Sequence, residues 1–145
     1  MKIKYLLILL VLFLVGCGSI KVNKEKFVQK IDTKFDNMLE ISKQELTSYY
    51  GLNLVEFKDY TFKVSLDTPV NVYVLVLPES KKNAKKEIEK FFKKLEINYD
   101  EGNQKRIKNK YYNTYGDYLF YIVSDNNKDI YKEMSEFIKS ENKNN

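Results

Sequence analysis

Histidine is absent from this chain of 145 residues, and cysteine and arginine occur once each, as Cys17 and Arg106. Without histidine there are no imidazole general bases, no Ser-His or Cys-His nucleophile pairs and no imidazole metal ligands. A lone cysteine removes internal disulfides and structural zinc. The scarcity of arginine argues against nucleic acid as a partner, because bidentate contacts to bases and phosphates rely on the planar guanidinium fork. Long apolar runs are missing too. A spanning helix needs about 20 apolar residues, and the run from Tyr5 to Val15 falls well short.

What is present is a foldable composition. Hydrophobic residues make up 43%, with nine Phe and twelve Tyr, which favours a packed core over disorder. The length suits one domain. Basic residues number 25 against 20 acidic ones. The accompanying Lys, Asn, Ile and Tyr bias fits an AT-rich genome, so the net charge of +5 carries little functional information.

Lys2 and Lys4 precede the apolar run, giving the flanks and length of an export signal. The tetrapeptide Leu14-Val15-Gly16-Cys17 that closes it resembles a bacterial lipobox. That resemblance implies a diacylglyceryl group on the Cys17 thiol, the one attached group expected, and cleavage just before it. Two acyl chains anchor a protein stably where one is marginal. The expected layout is a signal peptide over 1–16, a lipidated tether over 17–23, one α+β domain over 24–140 and a disordered tail over 141–145. The bilayer is then a partner through the anchor, and the domain sits on the extracytoplasmic face of the cell membrane. Lys21, Lys24 and Lys26 lie close enough to meet anionic headgroups, or serve as a polar spacer.

Phe27, Ile31, Phe35, Met38 and Leu39 recur at helical spacing, which predicts an opening helix, and "KQELTSYY" predicts a short second one ending at Gly51. "YTFKVSL" alternates as a half-buried strand. After a turn at Asp67-Thr68-Pro69, "VNVYVLVL" returns, pairing Val64 with Val72, Phe62 with Val74 and Tyr60 with Val76. Ala84, Ile88, Phe91, Phe92 and Leu95 form the apolar stripe of a helix capped by Ser80 or Asn83. A loop containing Gly102 is expected next. "RIKNKYY" and "DYLFYIVS" then read as a hairpin turning through Asn113 to Gly116, with the second strand interior to the sheet. Asp125 or Asn126 caps a last helix bearing Ile130, Met134, Phe137 and Ile138. The predicted fold is α+β, in the order α-β-β-α-β-β-α. It has one antiparallel or mixed sheet of about four strands in two hairpins, with helices packed on one face.

The lipobox together with "LTSYYGLN", "VNVYVLVLP", "EIEKFFKKLEINYD" and "YGDYLFYIVSD" resembles the pattern of small lipoproteins of low-GC Gram-positive bacteria that share an uncharacterised domain, one of the domains of unknown function. The resemblance implies a location and a fold, and transfers no activity or site residue.

Three features are candidate sites. Tyr111, Tyr112, Tyr115, Tyr118 and Tyr121, with Tyr73, form a tyrosine cluster suited to stacking on sugars or contacting protein, or else to core packing. A polar sheet face bearing Tyr73, Tyr118, Tyr121 and Lys63 is the candidate binding surface. Lys81, Lys82, Lys85, Lys86, Lys93 and Lys94 make a basic helix face, suited to anionic lipid or polymer, or simply solvated. Asp32, Asp36 and Glu40 share one helix side and offer the carboxylates that glycoside hydrolysis requires. The leading expectation is a non-enzymatic, membrane-anchored binding module meeting an envelope protein or polymer. The alternative is a small envelope hydrolase using paired carboxylates.

Overall fold

The computed structural model describes residues 19–67 and 69–144. The signal segment 1–16, Cys17 and Thr68 of the predicted turn lie outside the described residues.

Asn23 opens helix α1 (Lys24–Asp32) by accepting from the Lys26 amide, and Phe27 and Ile31 are its buried pair. The helix does not continue through Met38 as its spacing predicts. Asn37 takes a left-handed backbone at φ 51°, and Met38–Glu40 forms an edge strand, β1. Helix α2 (Lys43–Ser48) starts with a reciprocal cap: Ser42 Oγ accepts from the Glu45 amide while Glu45 Oε2 accepts from the Ser42 amide. Gly51, at φ 69°, follows it. A 3₁₀ turn (Leu54–Glu56) leads into β2 (Phe57–Ser65), and β3 (Val72–Pro78) returns. Tyr60 pairs with Val76, Phe62 with Val74 and Val64 with Val72, the register the alternation predicts. Leu66, predicted to extend the strand inward, is instead 70% exposed in the connecting loop.

Helix α3 (Lys81–Glu96) is capped by Ser80 and buries Ala84, Ile88, Phe91, Phe92 and Leu95, as its stripe predicts. The stretch after it is not a loop leading into a strand. Asp100 accepts from the Asn103 amide and starts helix α4 (Glu101–Lys108). Strand β4 (Tyr111–Tyr115) and strand β5 (Tyr118–Val123) then form a hairpin whose turn is Gly116-Asp117. Asn113 sits inside β4 opposite Phe120 rather than in the turn. Helix α5 (Asn127–Lys143) runs past Ser140, where fraying is expected, because its last turn is held: Asn142 bonds both the amide and the carbonyl of Lys21.

The sheet has five antiparallel strands in the order β1-β2-β3-β5-β4, one more than predicted. Helices cover both faces, not one. On one side Phe62, Val72, Val74, Val76, Leu119 and Val123 pack against residues of α2, α3 and α4. On the other, Tyr73, Leu75, Phe120 and Ile122 pack against Phe27 and Ile31 of α1 and Ile130, Met134 and Ile138 of α5. The reason lies in β3. Its Val72, Val74 and Val76 set is apolar, but so are Leu75 and Leu77 on the other face, so both must leave water. Each such side chain contributes about 1.5–3 kcal/mol when fully buried. Among the described residues no helix is long and apolar enough to cross a membrane.

Candidate functional site

The four residues of the expected binding surface do not form one. Tyr73 is fully buried beneath α1. Its hydroxyl donates to Asp32 Oδ1 at 2.7 Å, and Lys63 Nζ meets the other oxygen of the same carboxylate at 2.6 Å. Tyr118 donates to Asp59 Oδ2 at 3.2 Å, and Lys24 pairs with Asp59 Oδ1. Three of the four therefore fasten α1 to the sheet, with Asp32 at the C-terminal end of the helix and Lys24 at its start. Tyr121 lies on the opposite face, 4% exposed, between Phe92 and Tyr112. A half-covered sheet would leave Tyr73 in the open, and the second helical layer buries it.

The carboxylates are also separated. Asp32 ends α1 and is engaged by Lys63 and Tyr73, while Glu40 belongs to β1, so Asp32, Asp36 and Glu40 share no helix side. Glu87, which the sequence did not single out, is buried. It accepts from the Asn53 amide at 2.9 Å and from Lys90 at 2.6 Å, joining α3 to the 3₁₀ turn. The chain's arginine ties two loops to α4 in the same way. Arg106 donates to Val70 O and Asn71 Oδ1 and pairs with Asp125.

Tyrosine, lysine and open space come together elsewhere. A groove of about 370 Å³ between α3, the end of α4 and β4 is lined by Lys85, Glu89, Lys108, Lys110, Tyr112 and Tyr121. Lys85 Nζ stands 4.7 Å from the Tyr112 ring centroid and Lys110 Nζ stands 5.0 Å from that of Phe92, both cation–π distances. A smaller hollow of about 200 Å³ shares Glu89, Lys108 and Lys110 and adds Phe92, Lys93, Glu96 and Ile107. Both carboxylates are taken, Glu89 by Lys110 at 3.2 Å and Glu96 by Lys108 at 3.1 Å. Burial pushes the Tyr121 hydroxyl above the ordinary tyrosine range, with Tyr112 and Glu89 adding to the shift, so it stays protonated at neutral pH. The groove thus offers positive charge, a hydroxyl donor and aromatic faces to whatever enters it.

A second groove, of about 330 Å³, lies between α5, the β4–β5 turn and the N-terminal segment, with Ile20, Tyr115, Tyr131 and Ile138 among its walls. Gly116 is required at its edge. The residue has φ 54°, and a Cβ there would meet Ile20 O at 2.5 Å.

A domain of unknown function, DUF4358, matches residues 29–124. The chain belongs to the DUF4358 family. The DUF4358 span starts within α1 and closes just after β5, so it takes in the whole sheet and α2 to α4. All six residues of the Tyr112 groove fall inside it, whereas the second groove draws on Ile20 and α5 beyond it. No curated protein and no solved structure matches the chain.

Proposed function

We propose that this DUF4358 protein is a lipid-anchored, non-enzymatic binding module of the bacterial cell envelope. Cys17 carries the diacylglyceryl anchor, and the groove under Tyr112 takes a phosphate-bearing sugar or polyol polymer. The observation that carries the binding half is the convergence of Lys85, Lys108, Lys110, Tyr112 and Tyr121 around one open groove within the family's span. Lys110 and Lys108 are paired with Glu89 and Glu96, so the excess positive charge along the groove rests on Lys85 and Lys93. Such a site attracts polyanions, and the ring of Tyr112 adds a stacking face for a sugar. The anchor half is supported by Leu14-Val15-Gly16-Cys17, which stands at the end of an export-type apolar run.

Titration calorimetry with a phosphate-bearing glycopolymer tests the groove. Binding should weaken about fivefold to tenfold in Tyr112→Ala and in Lys85→Ala, since each removes one aromatic or cationic contact. Lys81→Ala, outside the groove, should bind as the parent does. No binding by the parent chain rejects the groove. A native mass showing an uncleaved leader and an unmodified thiol rejects the anchor.

A further inference from the structure

The segment that should act as a free tether is part of the fold. Lys21 exchanges two hydrogen bonds with Asn142, from its amide to Oδ1 at 2.9 Å and from Nδ2 to its carbonyl at 2.8 Å. The Ile20 carbonyl lies against Gly116, and Val22 packs beside the core of the α1–α5 face. Between Cys17 and Ser19, the first described residue, only two chain steps remain, at most about 7 Å. Whatever holds Cys17 therefore holds one particular face of the domain close by. That face carries Ile20, half-exposed, and the groove walled by Tyr115, Tyr131 and Ile138. Lys132 and Lys139 also line the groove.

The lysines divide by position. Lys24 and Lys26, which the sequence offered as headgroup contacts, are engaged by Asp59 and Glu141. On the flank of α5 facing α1, Glu133 takes Lys30 at 3.6 Å and also pairs with Lys34. Lys132 and Lys139, on the groove flank, form no ion pair among the described residues. An apolar trough rimmed by ammonium groups that form no ion pair matches the boundary between acyl chains and phosphates in a bilayer.

We propose that this face docks on the anionic phospholipids of the membrane to which the chain is anchored. Ile20 and the groove turn toward the acyl boundary, and Lys21, Lys132 and Lys139 meet the phosphates. The orientation rests on the anchored reading above, but docking itself does not need the anchor. It leaves the Tyr112 groove, on the other side of the sheet, free to meet a polymer.

The mature chain from residue 17 carrying Cys17→Ala, which has neither the signal segment nor a site for the lipid, separates the two ideas. In flotation with phosphatidylcholine vesicles containing roughly 30 mol% phosphatidylglycerol it should bind, and without the anionic lipid it should not. Lys132→Gln with Lys139→Gln should weaken binding about thirtyfold. Ile20→Asp should weaken it as well, with an unchanged circular dichroism spectrum because that side chain is half-exposed. Lys81→Gln with Lys82→Gln, on α3, should have no effect. No binding to anionic vesicles, or equal losses from both lysine pairs, overturns the docking face. So does hydrogen-exchange protection of α5 in the lipidated chain that is as strong on neutral vesicles as on anionic ones, since the anchor's own acyl chain would then fill the groove. A bare Cys17 thiol in the native protein removes the anchor and leaves the vesicle result standing.

Discussion

Asp32 and Asp59 each hold one lysine and one tyrosine, and together they fix both ends of α1. The arrangement follows from burial. A tyrosine hydroxyl covered by a helix needs a partner, and an aspartate beneath the same helix needs compensation. Tyr73 and Lys63 are direct cross-strand neighbours, so one carboxylate from α1 serves both. Burial, reinforced by Asp32, pushes the Tyr73 hydroxyl well above the ordinary tyrosine range, which keeps it a donor. Tyr73→Phe keeps the ring and deletes only that donor. It should cost about 1.5–3 kcal/mol, the usual range for a hydrogen bond to a charged group. Urea unfolding should show a lower midpoint at an unchanged slope, and amide exchange in α1 should quicken. A midpoint equal to that of the parent would mean that water replaces the hydroxyl at no cost.

Elements whose apolar pattern agreed with their backbone were legible in the sequence, and those where the two parted were not. The alternation of Tyr60, Phe62 and Val64 against Val72, Val74 and Val76 gave the β2–β3 register, because a slip of one residue would turn every one of them outward. The stripes of α3 and α5 were equally plain. Strand β1 was hidden because Met38 and Leu39 continue the helical spacing of Phe27 and Ile31, and the break comes from the backbone at Asn37. Helix α4 was hidden because it buries only Asn103 and Ile107 and so has no stripe. Its signal was Asp100 as a cap. The coverage of both sheet faces was readable from Leu75 and Leu77 beside Tyr73, whereas the Tyr112 groove required the distant β4 and α3 to be brought together. Asp100→Ala tests the least legible element. Loss of the bond to the Asn103 amide, 2.9 Å in the structure, should cost about 0.5–2 kcal/mol. Asn103 also accepts from the Val70 amide, and Arg106 of the same helix holds the Val70 carbonyl, so exchange at Val70 should rise with it. Protection at Val70 that stays unchanged would mean the loop is held without α4.

At the scale of the molecule, a sheet covered on both faces leaves its surface chemistry to helix flanks and strand edges, and locks tyrosines inside. Burial pushes Tyr50 and Tyr118 up to about 12, and Tyr73, Tyr115 and Tyr121 higher still. In the unfolded chain the same hydroxyls titrate near 10. Below that pH both states keep these protons, so the contribution to stability is complete. As pH rises from about 10 toward 12 the unfolded chain releases protons that the folded one retains, and stability must fall. The urea midpoint should therefore be level from pH 7 to 9 and decline above 10, with a steep late rise in tyrosinate absorbance coinciding with loss of circular dichroism. A variant assigns the decline to a particular tyrosine. Tyr121→Phe removes one buried hydroxyl and leaves every ion pair in place. Its stability at pH 8 should change little, and its decline above pH 10 should be shallower than that of the parent. An identical alkaline slope would mean that Tyr121 contributes nothing to the loss.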